Sequence, residues 1–160
     1  MCVANAGIEE TTTMANILVV DDSITISKYI EMVLSAEGHK LTFAVDGVDA
    51  ESKLKQDRFD LIITDVVMPR KNGFQLCREL KNNIQYKDIP IIMLTTKSLE
   101  VDKFWGLRQG ANEYLVKPCK SDALIGAVNK YVNTKPRTPE AASETLSNSL
   151  LRKFTSRFGN

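Results

Sequence analysis

The stretch NILVVDDS, residues 16–23, joins a short apolar run to two adjacent aspartates. Residues 16–20 are uncharged and rich in β-branched side chains, which is typical of a strand buried on both faces of a parallel sheet. The hydroxyl of Ser23 can then cap a helix that continues through Glu37 and ends at Gly38. Four apolar residues recur in it at helical spacing: Ile26, Ile30, Val33 and Leu34. The stretch therefore predicts a strand–helix unit whose connecting turn carries acidic side chains.

The same alternation continues along the chain to residue 132, without an internal repeat. The further predicted strands are residues 40–44, 60–64, 89–95 and 113–116. The further predicted helices are residues 47–56, 74–81 and 121–132, and a helix that is capped by Ser98 and runs to Gln109. In the helix of residues 47–56, Val48 and Leu54 are predicted to face inward. Short apolar strands that alternate with amphipathic helices predict an α/β domain with a five-stranded parallel sheet. Right-handed crossovers would make it a doubly wound, three-layer fold.

Charge is distributed unevenly along the 160 residues, although the formal net charge is only +1. Residues 1–15 carry −2, residues 134–160 carry +3, and residues 16–133 hold equal numbers of acidic and basic side chains. The hydrophobic content of 43% and the charged content of 26% are ordinary for a globular domain. The near-neutral total argues against a strongly basic nucleic-acid binder, so we expect no nucleic-acid partner.

Cysteine usage and the lack of long apolar runs predict a cytoplasmic protein. Cys2, Cys77 and Cys119 are odd in number and match no zinc-binding spacing, so a disulfide framework or a structural zinc site is not expected. No apolar run approaches the ~18 residues that span a membrane. Residues 1–15 have neither the basic nor the apolar region of a secretory signal, and we expect a disordered lead there.

Polar side chains follow four of the predicted strands directly. Asp21 and Asp22 follow the first strand, Asp65 follows the third, Thr95 ends the fourth, and Lys117 follows the fifth. A single aspartate after a strand is most often a helix cap, but three carboxylates at one edge of a sheet repel each other unless a cation compensates them. Mg²⁺ prefers such oxygen ligands, and a carboxylate beside it can form an acyl phosphate. The pattern predicts a magnesium-dependent phosphoryl site.

Four motifs in this order resemble the receiver domains of two-component response regulators, the CheY-like family: VVDDS at 19–23, DVVMPRKNG at 65–73, MLTT at 93–96 and EYLVKP at 113–118. The spacing also agrees, since Thr95 lies 30 residues and Lys117 lies 52 residues after Asp65. The resemblance covers about residues 16–133. It implies a flavodoxin-like sheet with strand order 2-1-3-4-5. It also implies a phosphoacceptor signalling protein rather than an enzyme acting on external substrates.

The resemblance assigns a role to each matching residue. Asp65 is similar to the phosphoacceptor, and Lys117 to the lysine that pairs with phosphoryl oxygens. Asp21 and Asp22 are similar to the acidic pair that holds Mg²⁺ together with Asp65, and Val67 matches the position whose backbone carbonyl binds the metal. Thr95 and Tyr114 are similar to the switch residues. The Lys-Pro bond of the family is cis, so the resemblance implies a cis bond at Lys117-Pro118. The implied partners are a histidine kinase or phosphotransfer protein, and an output protein on the face of the fourth helix, fifth strand and fifth helix.

Two segments also resemble a narrower group, the regulators of type IV pilus motility and cyanobacterial phototaxis: VDKFWGLRQGANEYLVKP at 101–118 and MPRKNGFQLCRELKNN at 68–83. Chemotaxis-like control of motility is therefore the pathway we expect.

The segment of residues 101–118 contains the aromatic pair Phe104-Trp105. For Trp105 we favour a space-filling position between the fourth helix and the sheet. The family usually has Phe where this chain has Cys119, which predicts looser packing there.

The C-terminal residues are predicted to form a linker, 134–145, and an amphipathic helical tail, 146–160. The tail carries apolar residues at a spacing of four: Leu146, Leu150, Phe154 and Phe158. Four interpretations stay open: a disordered tail, docking on its own domain, a partner-binding helix, or contact with an anionic membrane. A general phosphorelay receiver that signals through this tail is thus an alternative function.

An aspartate-nucleophile phosphatase is the alternative from another functional class. Such enzymes also place the nucleophile at a strand end, but they usually have a second acid two residues later, where this chain has Val67. A non-phosphorylatable scaffold of the same fold is less consistent with the complete acidic set. The receiver interpretation explains Asp21, Asp22, Thr95 and Lys117 together.

Overall fold

The computed structural model describes residues 14–133. Within them, five parallel strands form one sheet in the order β2-β1-β3-β4-β5, which confirms the predicted strand order. The strands are β1 (Asn16–Val20), β2 (Lys40–Ala44), β3 (Leu61–Thr64), β4 (Ile91–Thr95) and β5 (Glu113–Val116). The predictions for residues 1–13 and 134–160, including the linker and the amphipathic tail, lie outside the described residues.

A helix follows each strand, as predicted. The helices are α1 (Ile24–Ala36), α2 (Gly47–Gln56), α3 (Gly73–Asn82), α4 (Glu100–Arg108) and α5 (Ser121–Val132). Ser23 caps α1 by accepting a hydrogen bond from the N–H of Ile26, and Gly38 follows the helix with a φ of 87°. Asn72 caps α3 in a reciprocal capping box with Gln75. None of the helices within residues 14–133 is long and apolar enough to cross a membrane.

The core lies in two layers because the central strands are buried on both faces. Leu18, Val20 and Ile62 face one layer together with residues of α2 and α3. Ile17, Val19 and Ile63 face the other together with residues of α1 and α5. Successive side chains of a strand point to opposite faces, so an unbroken apolar run supplies both layers at once. This arrangement brings the carboxyl ends of all five strands to one edge.

The predicted bounds of five elements were wrong by one or two residues. Among the helices, α1 ends at Ala36 rather than Glu37, α3 is Gly73–Asn82 rather than residues 74–81, and α4 ends at Arg108 rather than Gln109. β3 begins at Leu61 rather than residue 60, because Asp60 exchanges hydrogen bonds with the backbone of Asn16 just before the ladder starts. β4 begins at Ile91 rather than residue 89, since Pro90 has no N–H to contribute to a ladder. The N-cap of α4 is Leu99 rather than Ser98, and it makes no side-chain cap hydrogen bond.

Two side chains predicted to face inward are exposed. Val48 is 41% exposed, and Ala50 and Leu54 bury the inner face of α2 instead. Trp105 is 52% exposed, so it does not fill space between α4 and the sheet. Gly106 is the buried residue of α4, and a Cβ there would lie 2.8 Å from the ring of Tyr114. This close approach at a glycine turns the apolar residues of α4 toward solvent.

Candidate functional site

Three carboxylates meet at the carboxyl edge of the sheet. Asp21 and Asp22 follow β1, and Asp65 follows β3, the strand paired directly with β1. One oxygen from each of the three side chains lies within 4.8 Å of the others. Asp21 and Asp65 are buried, whereas Asp22 is exposed to solvent. The strand pairing therefore assembles the acidic set that was expected from the sequence.

Lys117 reaches into this acidic set from the end of β5. Its Nζ donates hydrogen bonds to Oδ2 of Asp21 at 2.6 Å and to Oδ2 of Asp65 at 3.1 Å. The lysine side chain is only 8% exposed, so little water separates these charges. The backbone N–H of Lys117 donates to the carbonyl of Thr95, and the Lys117-Pro118 peptide bond is cis.

The Asp65 carboxylate is oriented by the chain that follows it. Its Oδ1 accepts hydrogen bonds from the N–H groups of Val66 at 2.6 Å and Val67 at 3.3 Å. Gly73 lies so close that a Cβ there would be 2.1 Å from the Asp65 carbonyl oxygen. Any other residue at position 73 would force this backbone to move. One carboxylate oxygen of Asp65 thus faces backbone amides and the other faces the lysine.

The charges of this cluster are only partly balanced. Burial raises the pKa of Asp21 above its ordinary value, and Asp65 adds to the rise, while hydrogen bonds from Lys117 and Ser23 oppose it. One lysine against three carboxylates leaves an excess of negative charge in a partly buried place. A hard divalent cation with oxygen ligands relieves such an excess, and the donors present fit Mg²⁺. The residues therefore suit a metal and an anion that binds with it.

Thr95 and Tyr114 lie on the paired strands β4 and β5 and share one neighbour, Lys97. The Thr95 hydroxyl, fully buried at the end of β4, accepts a hydrogen bond from the N–H of Lys97 at 3.3 Å. The Tyr114 hydroxyl donates to the carbonyl of Lys97 at 2.8 Å. Burial raises the pKa of Tyr114 above its ordinary value, which extends the range over which its hydroxyl can donate to more alkaline solution. The loop after β4 therefore connects the two residues predicted to act as a switch.

The sequence interpretation missed a set of charged residues beside the site. Arg70 pairs with the buried carboxylate of Asp46, and Lys71 pairs with Glu51 and Glu79. These contacts join the loop between β3 and α3 to the helix α2. The run MPRKNG indicated a loop, but nothing in it indicates which distant acids its two basic residues contact.

Comparison with known proteins defines the class that this fold and site represent. The family profile described as "Response regulator receiver domain" matches residues 17–129. The chain therefore belongs to the response regulator receiver domain family, which confirms the resemblance recognised in the sequence.

Particular relatives agree with this assignment. Protein PilH of Pseudomonas aeruginosa is 41% identical over 116 residues, which cover 72% of this chain and 96% of PilH. The chemotaxis response regulator CheY4 of Vibrio cholerae has a similar structure, with a TM-score of 0.70 and 39% identity over 74% of this chain and 99% of CheY4. The receiver domain of the sensor histidine kinase PA1611 from Pseudomonas aeruginosa, with a magnesium ion coordinated in its active-site cleft, has a TM-score of 0.70. It is 30% identical, over 76% of this chain and 99% of that domain.

Proposed function

We propose that this chain accepts a phosphoryl group on Asp65 from the phosphohistidine of a histidine kinase or phosphotransfer protein. The observation that carries the proposal is the position of Lys117, whose ammonium contacts both Asp21 and Asp65. The Lys117 ammonium lies against Asp65, the predicted nucleophile, among three carboxylates. This arrangement is suited to binding phosphoryl oxygens. The receiver family and the similarity to CheY4 support it.

In the proposed reaction, a carboxylate oxygen of Asp65 attacks the phosphorus of the donor. The phosphorus–nitrogen bond breaks, its electron pair returns to the imidazole, and an acyl phosphate forms on Asp65. The amides of Val66 and Val67 keep the carboxylate in position for this attack. Lys117 then pairs with a phosphoryl oxygen, and the hydroxyl of Thr95 donates to another.

The proposed cofactor is Mg²⁺, held by Asp21, Asp22, Asp65 and the backbone carbonyl of Val67. The carboxylate cluster and the magnesium in the cleft of the PA1611 receiver domain support this choice. When bound, the ion supplies positive charge to the phosphoryl oxygens. An exposed side chain at Val67 is compatible with a role through its backbone alone.

The proposed output surface consists of α4, β5 and α5. Val101, Phe104 and Trp105 form an exposed apolar stripe on α4, at the spacing of one helical face. Behind it, Gly106 contacts the ring of Tyr114, whose hydroxyl is bonded to the Lys97 carbonyl. A rearrangement at Thr95 would thereby reach this surface and change its affinity for a protein partner. We place this activity in the cytoplasm, within a chemotaxis-like system that controls motility. The segments 68–83 and 101–118 support this pathway, as does the similarity to the chemotaxis response regulator CheY4.

The test is phosphorylation of the purified chain by a small-molecule phosphodonor with and without Mg²⁺, followed by intact mass. The wild type should gain one phosphoryl group only when Mg²⁺ is present, and Asp65→Asn should gain none. Asp88→Asn is a matched control, because it removes an exposed aspartate outside the cluster. Magnesium-dependent labelling of Asp65→Asn equal to that of the wild type would reject the proposal. Turnover of generic phosphate esters would instead favour the phosphatase alternative.

A further inference from the structure

The loop between β3 and α3, residues 65–72, is joined to the beginning of α2 by an ion pair. Nε and Nη2 of Arg70 both contact Oδ2 of Asp46, each at 2.6 Å. The side chain of Asp46 is only 3% exposed, and its other oxygen accepts from the N–H of Asp49 to cap α2. Asp46 thus uses one oxygen for the helix and the other for the loop.

Arg70 has a backbone conformation that arginine rarely adopts. Its φ is 62°, and it is the one residue other than glycine with a positive φ among residues 14–133. This left-handed conformation costs free energy for a residue that has a Cβ, so it persists only where surrounding contacts enforce it. The pairing with Asp46 is such a contact, since it acts on the same residue that carries the strain.

The next residue of the loop, Lys71, makes a second connection to the beginning of α2. The N–H of Gly47 donates to the Lys71 carbonyl at 3.3 Å, and the aliphatic part of the Lys71 side chain covers Gly47. A Cβ at position 47 would lie 2.7 Å from Cγ of Lys71, so glycine permits this contact. The ammonium of Lys71 then bonds Glu51 of α2 at 2.7 Å and also Glu79 of α3. The loop is therefore attached to both helices.

The same loop supplies backbone groups to the phosphoryl site. It carries the two amides that orient Asp65, and it carries the Val67 carbonyl that we assign to the metal. We propose that Asp46 and Arg70 are positioning residues that hold this loop so that the Val67 carbonyl lies at the cation. This inference rests on the proposed function, because it assigns a role within the same magnesium site.

Three substitutions in the full chain separate the ion pair from the strain. Asp46→Asn removes the charge but leaves an oxygen to cap α2, because asparagine is as good an N-cap as aspartate. Arg70→Ala removes the ion pair and leaves the positive φ on a residue with a Cβ. Arg70→Gly also removes the ion pair, but glycine accepts the positive φ without strain. Arg78→Ala, which removes an exposed arginine of α3, is the matched control.

The measurement is the affinity for Mg²⁺, with magnesium chloride alone as the probe, by titration calorimetry. It is accompanied by the phosphorylation rate as a function of magnesium concentration. We expect Asp46→Asn and Arg70→Ala to weaken Mg²⁺ binding roughly tenfold. Substitutions of residues that support the direct ligands of a metal site have effects of this order. Arg70→Gly should lose less, and Arg78→Ala nothing. Saturating Mg²⁺ should restore most of the phosphorylation rate in Asp46→Asn and Arg70→Ala.

Unchanged Mg²⁺ affinity in Asp46→Asn and Arg70→Ala, with a lower melting temperature in the absence of metal, would overturn the inference and leave the pair a purely structural contact. Equal affinities of Arg70→Ala and Arg70→Gly would overturn the part that concerns strain. If the wild type itself bound no Mg²⁺, the proposed function would fail, and this result is distinct from a failure of the inference alone.

Discussion

The ammonium of Lys117 lies 3.1 Å from Oδ2 of Asp65, although the two residues are 52 positions apart in the chain. Each residue directly follows its strand, and β3 and β5 are separated by β4 in the sheet. Both side chains therefore point into one cleft at the carboxyl edge, where open α/β sheets bind their ligands. The proposed phosphoryl chemistry depends on this pairing.

Replacing Lys117 by alanine should slow phosphorylation of Asp65 by roughly 100-fold, the order of effect expected when a donor to a developing charge is removed. Mg²⁺ binding should persist, since the carboxylates remain and lose a competing cation. Rates with a small phosphodonor, measured by intact mass, check the first point, and magnesium titration checks the second. Lys120→Ala removes an exposed lysine nearby and should behave as the wild type. Wild-type rates in Lys117→Ala would contradict the role given to this residue.

Gly106→Ala should destabilise the protein by about 1–3 kcal/mol, the usual cost of overpacking a close contact. The added Cβ would lie 2.8 Å from the Tyr114 ring and 2.9 Å from Sδ of Met93. Gly126→Ala is the matched comparison, because it adds a Cβ to α5 where nothing lies within 4 Å. It should stabilise the protein by about 0.5–1 kcal/mol through helix propensity. Urea unfolding of both variants measures these changes, and equal effects would contradict the described packing of α4.

Fluorescence of Trp105, the single tryptophan, should report the state of the phosphoryl site. Its side chain is half-exposed beside Gly106, which contacts Tyr114. We expect its accessibility to acrylamide to change when Mg²⁺ and beryllofluoride, a phosphoryl mimic, are added together. Thr95→Ala should suppress that change while leaving Mg²⁺ affinity intact. A full response in Thr95→Ala would show that α4 does not respond through this hydroxyl.

His39 should make the protein less stable as the solution becomes mildly acidic. The imidazole is 6% exposed, Nδ1 accepts from the N–H of Ala15, and Nε2 has no hydrogen-bond partner among the described residues. Burial lowers the pKa of His39 below its ordinary value of 6.5, although Glu37 opposes the shift. Below that pH the unfolded chain binds a proton that the folded protein resists. Stability should therefore be complete above pH 6.5 and should fall below it.

The measurement for His39 is the free energy of unfolding by urea between about pH 7.5 and 5.5. The uptake of one proton can change the free energy of unfolding by at most ~1.4 kcal/mol per pH unit. His39→Gln should lose this pH dependence, so the stability of the wild type relative to the variant should decrease as the pH falls. Parallel pH profiles for the two proteins would contradict the assignment.

Much of the fold could be predicted from the sequence because its signals are local. β1, β2, β5, α2 and α5 have the predicted bounds, since each is an apolar or periodic run with clear polar or glycine ends. The cluster of Asp21, Asp65 and Lys117 was also predictable, because parallel strands bring their carboxyl ends to one edge of the sheet.

The parts that could not be predicted depend on contacts between distant residues. The stripe of Val101, Phe104 and Trp105 has the spacing of a buried helical face, yet the close approach at Gly106 turns it outward. Arginine does not signal a positive φ, so the conformation of Arg70 depends on where Asp46 lies in three dimensions. Such choices are made by tertiary packing rather than by local pattern.

The most direct test of the central claim is the chemical identity of the modified residue. Borohydride reduces an aspartyl phosphate to homoserine. The chain should therefore be phosphorylated with a small phosphodonor and Mg²⁺, reduced, digested and sequenced by mass spectrometry. We predict homoserine at position 65, and none there when Mg²⁺ is chelated before the donor is added. Homoserine at another aspartate with Asp65 intact, or equal conversion at position 65 without Mg²⁺, would contradict the proposed phosphoryl site.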